Sequence, residues 1–292
     1  PVKKILFFIV LVFLAPAVFS MPGEASFTPR QVFTAFTSAY PGLIDDIDFR
    51  NGDLSVRVRG KRFYWARGRL LPEDERENWE EYDPFPFYHY PKEILPVPAY
   101  SDSEKERMLQ RTAEMDEKPV RRHPGFFNTL WRLHNRSSSW DRMKTTYFLG
   151  VKTEIHRELL EDLAAVEEEL VTKAETDPAL ARYIERIGNL EGYNWRTIAG
   201  TSTFSFHCHG IAIDVIPYSY QGKQVYWRWT RSFYREWFSI PNSRRFVPPE
   251  SFIETFENHG FIWGGKWLYF DNIHFEYRPE ILILNGFTVE RN

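Results

Sequence analysis

Leu54, Val56 and Val58 alternate with Ser55, Arg57 and Arg59, the period of a strand with one buried face. Asn51-Gly52, just before them, marks a tight turn between two strands. Together these patterns predict a small β-rich unit over residues 27–72. Prolines 84, 86, 91, 96 and 98 interrupt any regular element, so residues 73–100 are expected to form a docked extended segment or linker. The polar stretch 101–117 predicts a short surface helix. Beyond residue 125 the pattern changes. Ile155, Leu159, Leu163, Val166 and Leu170 recur at spacings of three and four, which predicts an amphipathic helix. Asp177-Pro178 predicts the capped start of another, with Leu180, Tyr183, Ile184 and Ile187 on its apolar face and Gly188 at its end. "FHCHGIAIDVIP" reads as a strand pair or a bulged strand. "PPESFIETFENHG" reads as a helix that stops before Gly260, and "GFIWGGKW" with "IHFEYRP" as a final hairpin. There is no internal repeat and no low-complexity segment.

The 292 residues allow one large domain or two ordinary ones. A net charge of −3 without a long basic run argues against a nucleic-acid partner. Aromatic residues, at 17%, are numerous enough to fill a core or to line a groove for a peptide or a sugar. Residues 1–20 carry Lys3 and Lys4 ahead of an apolar run, with Val18 and Ser20 small enough to precede a cut. This is the pattern of a signal peptide, too short for a comfortable membrane span. The expectation is a secreted or periplasmic protein of the cell envelope, with no stable membrane span after cleavage and no lipid attached to its N-terminus. Removing both lysines takes the charge from −3 to −5. Cys208, the single cysteine, excludes an internal disulfide and reads as a small buried filler.

The candidate chemistry lies in "SFHCHGIAID", residues 205–214, and "FDNIHFEY", residues 270–277. A catalytic zinc takes three protein ligands and keeps one position open. No helical HExxH motif is present, so the ligands would come from strands. The two stretches fit Ser-x-His-x-x-Gly-x-Ala-x-Asp and Asp-x-x-His. This pair resembles the zinc D-alanyl-D-alanine carboxypeptidases, a family that includes the L-alanyl-D-glutamate peptidases of phage endolysins and the vancomycin-resistance dipeptidases. "WGGKW" ahead of the acidic residue looks like the endolysin-type members. The resemblance covers roughly residues 145–282. Carried over residue by residue, it implies that His207, Asp214 and His274 hold one Zn2+ per chain and that Asp271 is the catalytic carboxylate. It implies a local hydrogen-bonding role for Ser205 and a turn at Gly210. Arg196, in "GYNWRTIAGT", is the best match to the family's substrate-side arginine. His-Cys-His departs from the usual pattern. In an extended segment His207 and His209 point to the same side, so His209 stays a candidate beside the motif position, as does Cys208, but the turn at Gly210 is expected to aim the His209 imidazole elsewhere, towards the substrate cleft. The remaining histidines, among them His156 and His259, read as structural. Glu276 and Arg278 read as ion-pair or rim residues, and Trp263 and Trp267 as core or cleft.

The order of elements, with the resemblance, implies an α+β fold: an antiparallel sheet carrying the zinc ligands, helices packed on one face, and an N-terminal β-rich lobe. The division expected is a signal peptide over 1–20, a β-rich region of unknown role over 21–125, and a zinc D,D-carboxypeptidase-like peptidase domain over 126–292. The implied function is a secreted zinc metallopeptidase hydrolysing amide bonds of peptidoglycan stem peptides. The alternatives are an L-alanyl-D-glutamate endopeptidase of the same family and an inactive zinc-bearing wall-binding module. A glycan-cleaving enzyme would need paired carboxylates in a cleft, and no such acidic motif stands out.

Overall fold

The computed structural model describes residues 27–290; the expected signal peptide lies outside them. Helix α1 (Pro29–Ala39) opens on a capping box, with Thr28 and Gln31 satisfying each other's backbone N–H and Pro29 at the first helical position. Its apolar stripe of Val32, Phe33, Phe36 and Ala39 is buried. The β-rich reading of this region did not foresee this helix. Strands β1 (Ile44–Arg50), β2 (Asp53–Val58) and β3 (Lys61–Tyr64) then form an antiparallel meander. Asn51 and Gly52 both have positive φ, 51° and 85°, as a two-residue hairpin turn requires. Residues 73–81 form a 3-10 segment, and 82–100 run without regular structure, as the prolines imply. This stretch is docked through Tyr90, whose buried hydroxyl donates to Glu257 and accepts from the Trp263 N–H. Helix α2 (Asp102–Glu117) covers the polar stretch read as helical.

Short helices α3 (Gly125–Leu130) and α4 (Arg136–Trp140) lead into the hairpin of β4 (Met143–Phe148) and β5 (Val151–His156). Helix α5 (Leu160–Ala174) begins later than its apolar spacing implied. Ile155 belongs to β5, and a 3-10 turn at Arg157–Leu159 separates the two. Asp177 caps α6 (Pro178–Ile184) by accepting from the N–H groups of Ala179 and Leu180. The helix stops short of Gly188, which lies instead in β6 (Ile187–Glu191). After β7 (Ala212–Pro217) come α7 (Trp227–Arg231), α8 (Glu250–Asn258), β8 (Phe261–Trp263), β9 (His274–Tyr277) and α9 (Pro279–Leu284). The expected final hairpin is present, with residues 264–273 between its strands.

The main sheet has the order β6-β7-β9-β8, all antiparallel. Alternation divides its two faces. Phe275 on β9 packs against Phe252 and Phe256 of α8, with ring centroids 5.7 and 4.3 Å apart. Leu163, Val166 and Leu170 of α5 join the same core. His274 and Glu276, the alternate residues of β9, and Asp214 on β7 lie on the other side. The fold is thus an α+β mixture with helices on one side of an antiparallel sheet. One continuous core includes Phe33 and Phe36 from α1 together with Phe126, Phe127, Phe261 and Tyr277. No helix among the described residues is long and apolar enough to cross a membrane.

Candidate metal centre

Residues 206–209 form a 3-10 turn, not the strand their composition implied. Ser205 caps it, its Oγ accepting from the His207 N–H at 3.3 Å. Gly210 ends it at φ 65°, ψ 24°. A Cβ there would sit 2.3 Å from the Met143 sulfur and 2.7 Å from the His156 nitrogen, so only glycine fits. The chain then enters β7, where Asp214 pairs directly across from His274 on β9. A cross-strand pair projects both side chains from the same face. The turn brings His207 to them from the side.

The three side chains meet. His207 Nε2 lies 3.3 Å from Asp214 Oδ1 and 3.3 Å from His274 Nδ1, and His274 Nδ1 lies 2.9 Å from Asp214 Oδ1. All three are buried. Each imidazole uses its other nitrogen elsewhere. His207 Nδ1–H donates to the Gly192 carbonyl at 2.6 Å, and His274 Nε2–H donates to Glu276 at 3.0 Å. These bonds select the tautomers that turn two nitrogen lone pairs towards one carboxylate oxygen. Such an arrangement needs a cation between the three atoms. Tetrahedral zinc with bonds of about 2.0–2.1 Å separates its ligands by about 3.3 Å, so the donor set fits the ion in type and spacing. Without an ion a proton takes its place. Burial opposes charge on His274, but the bonds to Asp214 and Glu276 outweigh it and push the imidazole up to about 10. Asp214 is likewise held well below the usual carboxylate range by both histidines, against the effect of burial.

Asp271 stands at the start of the turn into β9, tied by its backbone to Gly264 and bridged to Tyr226. Its Oδ1 is buried without a hydrogen-bond partner. Burial pushes this carboxyl up to about 6, with His274 pulling against the rise and Asp214 adding to it. The carboxyl therefore lies within electrostatic reach of the three converging side chains and is poised to exchange a proton near neutral pH. The exposed side chain of Arg196 lies close enough to Tyr226 to lower its phenol against the rise from burial. Its backbone N–H and carbonyl both engage the Cys208 sulfur, at 3.1 and 2.8 Å.

Because the segment is a 3-10 turn, His207 and His209 diverge. His209 Nε2 meets the Asn128 side-chain oxygen at 3.0 Å, and the ring packs near Phe206 and Phe127. It is buried in the joint with α3 and faces neither the other ligands nor a cleft. Burial pushes it down to about 4, so it is neutral. Cys208 points to the Arg196 backbone. Trp263 is core, and Trp267 packs 5.6 Å from the His274 ring. Glu276 and Arg278 are ion-paired, at 3.4 Å, but buried rather than on a rim. Sequence reasoning missed Gly192, whose contribution is a backbone carbonyl, and Glu280 and Tyr40, which continue the buried network beyond Arg278.

Residues 199–277 match the family described as D-alanyl-D-alanine carboxypeptidase. The match spans both motifs and supports a metallopeptidase of that general type. Residues 32–87 match a second family, described only as a domain of unknown function. No curated protein matches the chain, and no solved structure does. The carboxypeptidase-like stretch thus contains all three converging side chains and Asp271. The Gly192 carbonyl, the Met143 sulfur packed against Gly210 and the Tyr40 hydroxyl come from outside it.

A second group, Glu169, His259 and Glu290, also brings three potential ligand atoms together. Here Lys173 already sits 2.6 Å from Glu169, and His259 Nε2–H donates to the same carboxylate at 2.8 Å.

Proposed function

We propose that this chain is an exported zinc metallopeptidase that hydrolyses amide bonds in peptidoglycan stem peptides, with His207, Asp214 and His274 as the zinc ligands. The observation that carries the reading is the convergence of two imidazole lone pairs on one carboxylate oxygen, each imidazole being anchored through its other nitrogen. The family match across the same residues supports the choice of peptide substrate, and the pattern of residues 1–20 supports export. Bound zinc would polarise the scissile carbonyl and make water a competent nucleophile near neutral pH. Asp271 takes the proton from the attacking water and delivers it to the leaving amine. Its carboxyl, shielded from water and with Oδ1 unpaired, suits that exchange, because a base works best with a pKa near the working pH. Arg196 binds a substrate carboxylate or the developing oxyanion. Stem peptides carry both acidic groups and D-residues, which suits a cation at the mouth of the site.

An L-alanyl-D-glutamate endopeptidase would use the same core with a different pocket. A zinc-bearing module without turnover is disfavoured by Asp271, since leaving a buried carboxylate oxygen unpaired costs about 1–3 kcal/mol without catalytic return. Mass spectrometry of purified muropeptides after incubation distinguishes these readings. Release of D-alanine, abolished by a chelator and restored by zinc, supports the carboxypeptidase. Cleavage between L-alanine and D-glutamate supports the endopeptidase. Intact muropeptides with the zinc-loaded protein would overturn the proposal.

A further inference from the structure

Beyond the ligands, a line of buried charged groups runs from the candidate metal centre to the first helix. His274 and Glu276 are alternate residues of β9 and so share one face, Arg278 caps α9, and Glu280 lies in the first turn of that helix. His274 Nε2–H donates to Glu276 Oε2 at 3.0 Å. The other oxygen of Glu276 accepts from Arg278 Nη1 at 3.4 Å, and Arg278 Nε donates to Glu280 Oε1. The remaining oxygen, Glu280 Oε2, accepts from the Tyr40 hydroxyl at 3.0 Å, across 240 positions of sequence. Tyr40, Glu276, Arg278 and Glu280 are all buried. The guanidinium also lies over the rings of Phe206 and Phe127, 4.8 and 5.2 Å from their centroids.

We propose that Tyr40 is a positioning residue for the His274 ligand, acting through Glu280, Arg278 and Glu276. This rests on the reading of His207, Asp214 and His274 as the metal ligands. Arg278 Nη2 is buried with no hydrogen-bond partner. Once the Tyr40 hydroxyl is removed, Glu280 Oε2 has lost its donor and competes for that nitrogen. The guanidinium turns towards Glu280, Glu276 loses its anchor, and the imidazole loses both its fixed orientation and part of its donor strength. A carboxylate behind a ligating histidine typically changes metal affinity by 10- to 100-fold. Tyr40, which closes the first helix, lies wholly outside the carboxypeptidase-like stretch and inside the other matched region, and thereby becomes part of the metal site's support.

The test is zinc affinity of the full chain by competition with a chelator, together with the visible spectrum of the cobalt-loaded protein. Glu276→Gln should bind zinc roughly 10- to 100-fold more weakly. Tyr40→Phe keeps the ring packing and should lose roughly three- to ten-fold, the order of one ordinary hydrogen bond, with a shifted cobalt band. Tyr183→Phe, which removes another buried hydroxyl, should match wild type in both. Wild-type affinity and spectrum in Tyr40→Phe would overturn the proposal, whatever its melting temperature. If wild type binds zinc no better than His274→Ala, the ligand assignment itself fails and the positioning role with it.

Discussion

Among the described residues, two clusters bring three potential histidine and carboxylate ligands together, and only one turns its imidazole lone pairs inwards as a metal site requires. At His207, Asp214 and His274, every imidazole proton points outwards, to Gly192 or Glu276, and the lone pairs point inwards. At Glu169, His259 and Glu290 the polarity is reversed. The His259 proton points at Glu169, Lys173 neutralises the same carboxylate, and Glu290 is exposed. A metal entering there would have to displace an ammonium and a proton. Proximity of ligand atoms is therefore a weak criterion, and the partner of each imidazole's second nitrogen decides between a metal site and an ion-pair network.

The largest effect expected from breaking this contrast is at His274. His274→Ala should lose its zinc and drop peptidase activity by a factor of the order of 1,000 or more, since the metal supplies several kcal/mol of transition-state stabilisation. His259→Ala should keep both, as elemental analysis and rate measurements on the two variants will establish. Asp271→Asn separates metal from chemistry within the first cluster. It should retain zinc yet turn over about 100 to 10,000 times more slowly, and activity within a few-fold of wild type would exclude Asp271 as the base.

Histidines outside both clusters extend the comparison. His156 bonds the Trp131 carbonyl and the Glu158 N–H, and burial pushes it down to about 4. The unfolded chain takes up a proton near pH 6.5 that the native state refuses. This contribution to stability is complete above pH 6.5 and is lost as the pH falls towards 4, up to about 3 kcal/mol. Denaturant titrations from pH 7.5 to 4 should show a shallower loss in His156→Gln, and parallel curves would contradict the assignment. The smallest effect is expected at His209. His209→Ala should keep its zinc and lose about 1–3 kcal/mol of stability, because Asn128 is left unpaired in a buried joint. Loss of zinc in that variant, with retention in His207→Ala, would reverse the ligand order of "SFHCHGIAID".

Much of the first cluster was legible because its chemistry is local in sequence. The spacing in residues 205–214 and 271–274 picked out residues that a turn and a cross-strand pair do bring together. The direction of His209 was half legible: the turn at Gly210 implies that its ring aims away from His207, but its burial against Asn128 of α3, not a substrate cleft, depends on tertiary contact. Helix α1 was hidden for a different reason. "QVFTAFTSA" is rich in β-branched and aromatic residues with weak helix preference, and the helix is held by burial against α9 and the sheet. Glu280 and Tyr40 were invisible because their roles depend on tertiary contact, whereas Asp177-Pro178 announced its helix through backbone capping alone.

X-ray absorption spectroscopy of the zinc-loaded protein addresses the ligand set most directly. The account predicts one zinc per chain, with two imidazoles and only oxygen besides, at about 2.0–2.2 Å. A sulfur shell near 2.3 Å, bringing Cys208 to the metal, or a third imidazole, bringing in His209, would contradict it.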